Sequence, residues 1–282
     1  MVISNDKYCI TKGIDDKDIT VTEDVENCEM PIFEKTIADI GTTTATCVTS
    51  GTCTQAEINV GIKVNLKVNN EKSYDFYVIA DDGEKVTLIM DRNLGNKVAW
   101  VTKGDYTAAG GDETDYGTNG NNNLGPITVL NYLNSQINSE TETWSNIAPI
   151  KSYEYINNEN GTKNTYGYQK LSITNGTGVL TSQDGTITTT LTGTMRARLL
   201  TNEEANALYT ANSNTTPTWL YENLSSTNTT EKPYGYWFLT ANPSDSYRGC
   251  NMTYSSAITD SNDVYIGTNN GARPVIELSK SL

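Results

Sequence analysis

Two apolar runs near the C-terminal end of the 282-residue chain, YGYWFLTA from Tyr234 and GARPVIEL from Gly271, restrict the fold more than any other feature. Each is short, rich in aromatic or β-branched residues and bounded by turn formers, which is the pattern of a buried strand. Between them lies NPSDSYRGCNMTYSSAITDSNDVYIGTNN, a mixture of Tyr, Asn, Ser, Thr and Asp with no comparable pattern. A loosely determined segment between two strongly determined strands needs a physical reason.

The rest of the chain supplies the frame. In INVGIKVNLKVNN, Ile62, Val64, Leu66 and Val68 point one way and Lys63, Asn65 and Lys67 the other, so a half-buried strand is expected. YDFYVIADDGEKVTLIM follows as a hairpin, because Asp82-Gly83 is a type I′ turn signal between two β-rich runs. TKGDYTAAGGDETDYGTNGNNNLG reads as a long Gly/Asn/Asp loop, of a length that tends to be functional or mobile. GPITVLNYLNSQ starts a helix with Pro126 at its first position, where a missing N–H costs nothing. LTSQDGTITTTLTG reads as a hairpin, and MRARLLTNEEANALY as a strand running into a helix that opens with the capping box Thr201 and Glu204. Short antiparallel strands scattered around two main helices, with much irregular loop, make an α+β fold rather than a βαβ one.

Residues 1–56 are polar and weakly periodic and are expected to form a small N-terminal subdomain or stapled arm, with the main domain at 57–282. Cys47 and Cys53 bracket VTSG, a small-residue turn that brings their sulfurs within bridging reach. Cys9 and Cys28 remain as a second pair, and Cys250 is the odd one out. Two bridges imply an oxidising, extracytoplasmic setting; reduced thiols in a cytosolic protein are the alternative. No apolar run is long enough to span a membrane and no charged-then-apolar leader appears, although the abrupt opening MVISNDKYCITKG leaves room for a removed export or anchoring segment. The net charge of −14 repels phosphate backbones, so nucleic acid is not an expected partner.

The chain contains no histidine, which removes the commonest general base and metal ligand together. Its cysteine spacing does not suit a four-thiolate zinc site, and GGDETDYG lacks the Lys-Ser/Thr of a phosphate loop. Asp112, Glu113, Asp115 and Asn119 offer oxygen ligands for calcium outside the EF-hand spacing; a solvated acidic loop accounts for the same residues. No other cofactor is expected. Arg273, entering a buried strand, needs a partner, and Asp91 is the candidate carboxylate. Trp237 reads as core.

The order YVIADDGEKVTLIMDRNLG, GPITVLNYLNS, MRARLLTNEEA, YGYW and GARPVIEL resembles a bacterial C-type-lectin-like domain of the formylglycine-generating-enzyme type. It resembles more closely the variable proteins that diversity-generating retroelements mutate, some of them carried at the end of pilin-like stalks. The likeness covers residues 57–282, and its most specific part is the closing Gly-x-Arg-Pro, Gly271 to Pro274. It implies a lectin-fold scaffold, displayed extracellularly or at the cell surface of a bacterium or phage, that presents a C-terminal surface to a protein or glycan on another cell or host, with a pilus or stalk as attachment. Retroelement mutagenesis replaces adenines, so Lys, Glu, Gln, Trp and Met cannot arise from Asn-type codons. Residues 238–272 contain no Lys, Glu, Gln or Trp, and Met252 is the only excluded type. A loop built of turn formers is also poor in Lys and Glu, so both readings stand.

Tyr supplies rigid amphipathic contact and Ser, Asn and Asp adaptable hydrogen bonds, the palette of paratopes. Tyr247, Arg248, Asn251, Tyr254, Asp260, Asp263, Tyr265, Asn269 and Asn270 are therefore the expected contacts, with strand alternation turning about half of them inward. Three rivals remain. An oxidase of the formylglycine-generating type uses a C-terminal cysteine pair where this chain has only Cys250, so no enzyme is expected. A calcium-dependent lectin needs Glu-Pro-Asn or Gln-Pro-Asn and Trp-Asn-Asp, of which Asn242-Pro243 is the nearest fragment. A pilus or surface-layer subunit would bury 242–270 between neighbours.

Overall fold

The computed structural model describes residues 60–82, 85–139, 143–159 and 161–279. The four cysteines of the expected bridges, Cys9, Cys28, Cys47 and Cys53, and the N-terminal arm lie outside them. In chain order the elements begin with strands β1 (Lys63–Lys67), β2 (Ser73–Asp81) and β3 (Lys85–Met90), then helices α1 (Lys103–Ala108), α2 (Glu113–Tyr116) and α3 (Ile127–Ile137). Next come β4 (Ser152–Ile156), β5 (Asn158–Glu159), β6 (Thr162–Lys163), β7 (Lys170–Thr174), β8 (Thr177–Thr181) and β9 (Thr188–Thr190). Helix α4 (Asn202–Ala211) precedes β10 (Gly235–Ala241), β11 (Arg248–Thr253), β12 (Ile258–Asp263), β13 (Asn270–Gly271) and β14 (Val275–Ser279). The architecture is α+β, as expected; the pairs β1–β2, β2–β3, β4–β7, β7–β8, β8–β9, β10–β11 and β11–β12 are antiparallel and the short pair β10–β13 is parallel. Among the described residues no helix is long and apolar enough to cross a membrane.

The chain divides into two compact units. The first holds the sheet β1-β2-β3-β14. The alternation in β1 is realised: Val64 and Leu66, with Val68 beyond the strand, are buried, and Phe76 meets the Trp144 ring edge-on at 6.0 Å. On the other face Asn65 donates to Asp75 at 2.6 Å and Lys63 pairs with the same carboxylate at 3.0 Å. The β2–β3 hairpin forms in the expected place, its ladder closing at Asp81 opposite Val86. Gly83 of the turn lies outside the described residues.

The second unit carries the sheet β12-β11-β10-β13, the sheet β4-β7-β8-β9 and the ribbon β5-β6. Helix α3 buries Ile127, Val129, Leu130, Leu133 and Ile137, with Pro126 at the N-cap rather than inside the first turn. Helix α4 opens with the reciprocal capping box of Thr201 and Glu204. Two expectations are corrected. The stretch from Thr102 to Gly125 is not one long loop: α1 and α2 form in it, each started by a side-chain cap, Thr102 accepting from the Asp105 N–H and Asp112 from the Thr114 N–H. The run MRARLL forms no strand ladder, only an isolated bridge at Arg198. Arg198 exchanges backbone bonds with Val275 while Leu200 accepts from Leu239, so residues two apart serve different strands.

Candidate ligand-binding surface

β10 is buried at all seven positions. Trp237 donates its indole N–H to the Val98 carbonyl at 2.7 Å and Trp100 to the Phe238 carbonyl at 2.9 Å, so both indoles are core anchors. Gly249 of β11 fits against these rings: a Cβ there would lie 3.4 Å from each. On the neighbouring position Cys250 is buried with its thiol toward the Ala241 carbonyl. β11 is thus covered on both faces, and the segment between the two apolar runs is a built hairpin with a buried inner strand. Its outer strand β12 is the edge of the sheet.

The nine expected contacts separate into groups. At one end, Arg248 and Asp263 lie directly opposite each other across β11 and β12. The Arg248 guanidinium sits 5.1 Å over the Tyr247 ring and makes long ion pairs, 3.5 Å each, to Asp245 and Asp263. Such partly exposed pairs contribute at most about 1 kcal/mol, so they orient the side chain more than they stabilise the fold. Tyr265 is 43% exposed beside them. The backbone below is braced: Val264 donates to the Tyr247 carbonyl at 2.9 Å, its own carbonyl accepts from the Trp100 and Val101 N–H groups, and Gly120 abuts its side chain. Tyr116, buried there, donates to the Val101 carbonyl at 2.8 Å, and burial pushes its hydroxyl pKa up to about 12.

Midway along the hairpin Asp260 is exposed, with its carbonyl accepting from Asn242 at 2.7 Å. At the far end, about 17 Å along a six-residue strand, Tyr254 is 37% exposed and meets Tyr234 edge-on at 4.8 Å. Asn269 is half-buried and accepts from Asn228 at 3.4 Å.

Asn251 and Asn270 are corrected: both are fully buried. The Asn251 side-chain oxygen accepts from the Asn262 amide at 2.8 Å, and Asn270 pairs with β10 through its backbone, so these polar residues serve the sheet. Tyr234 and Asp245, by contrast, belong with the surface and were not singled out in the sequence; YGYW reads as strand throughout, and Asp245 as an ordinary turn former. Arg273 donates to the Leu220 and Trp219 carbonyls and stacks 5.0 Å over the Tyr236 ring. Asp91 is buried, with Lys63 at 3.9 Å. Of the acidic run considered for calcium, Asp112 caps α2 and Glu113 pairs with Lys103 at 2.7 Å. Among the described residues, no group of three or more Cys, His or carboxylate side chains is placed to hold a metal.

A cluster of ionisable groups lies elsewhere in the same unit. The Tyr155 hydroxyl is 2.6 Å from Thr240 and donates to the Glu203 carboxylate at 3.2 Å. Partial burial raises the Glu203 pKa, against the lowering effect of its hydrogen bonds. The folded state therefore favours the neutral acid; this contribution is fully present below the unfolded glutamate pKa and is lost as pH rises through the folded one. Glu203→Gln is expected to melt higher than the parent at pH 7 and to match it at pH 4. Thermal unfolding at the two pH values reads this, and equal melting at pH 7 would remove the burial effect.

Comparison of the chain with protein-family models, curated proteins and solved structures finds no match.

Proposed function

We propose that the chain is a bacterial or phage ligand-binding protein, displayed extracellularly or at the cell surface, in which a C-type-lectin-like scaffold presents the β11–β12 hairpin as a diversified surface. The observation that carries the reading is the division of residues 238–272. Phe238, Leu239, Cys250, Met252 and Val264 are fully buried, while Tyr254, Asp260 and Tyr265 are exposed and Tyr247, Arg248 and Asp263 half-exposed. A rigid frame with tyrosine, arginine and short polar groups along and at the ends of the β11–β12 hairpin suits a protein or glycan partner without catalysis. The lack of histidine and the burial of Cys250 agree with binding rather than oxidation.

The test is sequencing of the gene's locus in many isolates. The expected result is a neighbouring reverse transcriptase and a template repeat differing only at adenines, with amino-acid variation at positions 247, 248, 254, 260, 263 and 265 and none at 237, 252 or 264. Uniform variation across buried and exposed positions, or a locus without the repeat, defeats the proposal. Alanine at Tyr247 or Tyr265 is expected to change the melting free energy by about 0.5 kcal/mol or less, as for other surface substitutions. The edge position of β12 keeps one second reading, a pilus subunit. Filaments formed by the purified chain with residues 242–270 between subunits would replace display with assembly.

A further inference from the structure

The chain contains four Asn-Gly pairs, beginning at Asn119, Asn160, Asn175 and Asn270. Such a pair is chemically labile, because glycine has no Cβ to shield its backbone nitrogen from the preceding side-chain amide. The nitrogen attacks that amide carbon and loses its proton, and a succinimide ring closes as the side-chain nitrogen leaves as ammonia. Water then opens the ring at either carbonyl, giving aspartate or its β-linked isomer, isoaspartate. Nothing beyond water is consumed. Whether the reaction runs depends on how the fold holds each pair.

Asn160 lies outside the described residues. Asn270 is fully buried and its backbone is engaged in the β10–β13 pairing. Asn119 and Asn175 form a controlled comparison, since each is the centre of the same tripeptide, Thr-Asn-Gly. Both are exposed in turns, Asn119 after α2 and Asn175 between β7 and β8, and both precede a buried glycine of positive φ, +90° at Gly120 and +78° at Gly176. They differ at the attacking nitrogen. The Gly176 N–H donates to the Ile150 carbonyl and the Asn175 N–H to the Lys151 carbonyl, each at 2.9 Å, so this turn is tied down. The Gly120 N–H and the Asn119 side chain have no hydrogen-bond partner among the described residues. We propose that Asn119 is a site of spontaneous deamidation in the folded chain, whereas the fold protects Asn175 and Asn270. The site adjoins the candidate surface: a Cβ on Gly120 would lie 2.6 Å from the Val264 side chain and 3.4 Å from the Tyr265 backbone nitrogen. Aspartate adds a negative charge there, and isoaspartate adds a methylene to the main chain where close packing against Val264 leaves little slack. The chemistry is independent of what the surface binds.

The test is peptide mapping by mass spectrometry of the full chain aged at mildly alkaline pH, where hydroxide removes the amide proton. In the folded chain the peptide carrying residue 119 is expected to gain the mass of an NH2-to-OH exchange and to split into two products. It should do so at least about fivefold faster than the peptide carrying residue 175, the factor that one net hydrogen bond supplies, with no change at residue 270. In concentrated urea the peptides at 119 and 175 are expected to react at equal rates, because their local sequences are the same and only the fold distinguishes them. Asn119→Gln, which would need a larger ring, is expected to abolish the reaction at that position without altering the melting temperature. Equal rates at 119 and 175 in the folded chain, a faster reaction at 175 or 270, or a preference for 119 that persists in urea would each overturn the assignment.

Discussion

Arg198→Met is expected to cost about 3–5 kcal/mol in urea unfolding, the loss associated with breaking a buried ion pair from one side. Arg198 is 2% exposed and its guanidinium grips Glu204 with two bonds, at 2.6 and 2.9 Å, while lying 4.5 Å over the Tyr153 ring. The same Glu204 carboxylate accepts from the Thr201 N–H at 2.9 Å to complete the α4 capping box. One substitution therefore leaves a partly buried carboxylate without this cation and loosens the start of the helix. The double variant Arg198→Met/Glu204→Gln should recover about 1 kcal/mol or more, because the uncompensated charge is gone while the amide oxygen still caps. A single-variant loss below about 1 kcal/mol would place this pair with the exposed Lys63–Asp75 bridge, whose class contributes little.

The capping box was legible because its two residues are three apart and announce themselves locally. The guanidinium that reinforces it was not, since nothing in MRARLL says which of its two arginines turns inward. The same contrast runs through the fold. The alternation of β1 shows because one face is buried and the other wet, and the β2–β3 hairpin shows because Asp-Gly marks a turn. Helices α1 and α2 were hidden: Gly104, Gly111 and Gly117 lie in or beside them, and helices this short rest on caps and tertiary contact rather than propensity. At the candidate surface, residue type identified the exposed tyrosines and aspartates but misjudged Asn251 and Asn270. Asparagine is polar to a sequence reader, yet the Asn251 amide bonds within the sheet to Asn262, and Asn270 is carried inward by the backbone pairing of β13 with β10. The contact that shapes the turn before β11 joins Asn122 to Asp245 across 123 positions, a separation no local pattern reveals.

Gly235→Ala is expected to damage the molecule as severely, by about 3 kcal/mol or more, although alanine is the smallest possible addition. The backbone at Gly235 needs no left-handed conformation; the objection is space. A Cβ there would be driven into the Met252 carbonyl of β11 and the side chain of Asn270 in β13. The carbonyl is a backbone atom within a paired strand, so it can retreat only by parting β10 from β11, the ladder on which the candidate surface is mounted. Urea unfolding measures the loss, and hydrogen exchange in β11 and β12 should rise more than in β7 and β8 of the other sheet. Alanine tolerated at Gly235 with unchanged exchange would mean that the hairpin is loosely held. The close fit also bears on which positions of the hairpin can change. Met252 and Asn270 meet Gly235 from inside the segment that carries the exposed tyrosines, so a surface that diversifies must do so at alternate, outward positions while these inner ones remain constant.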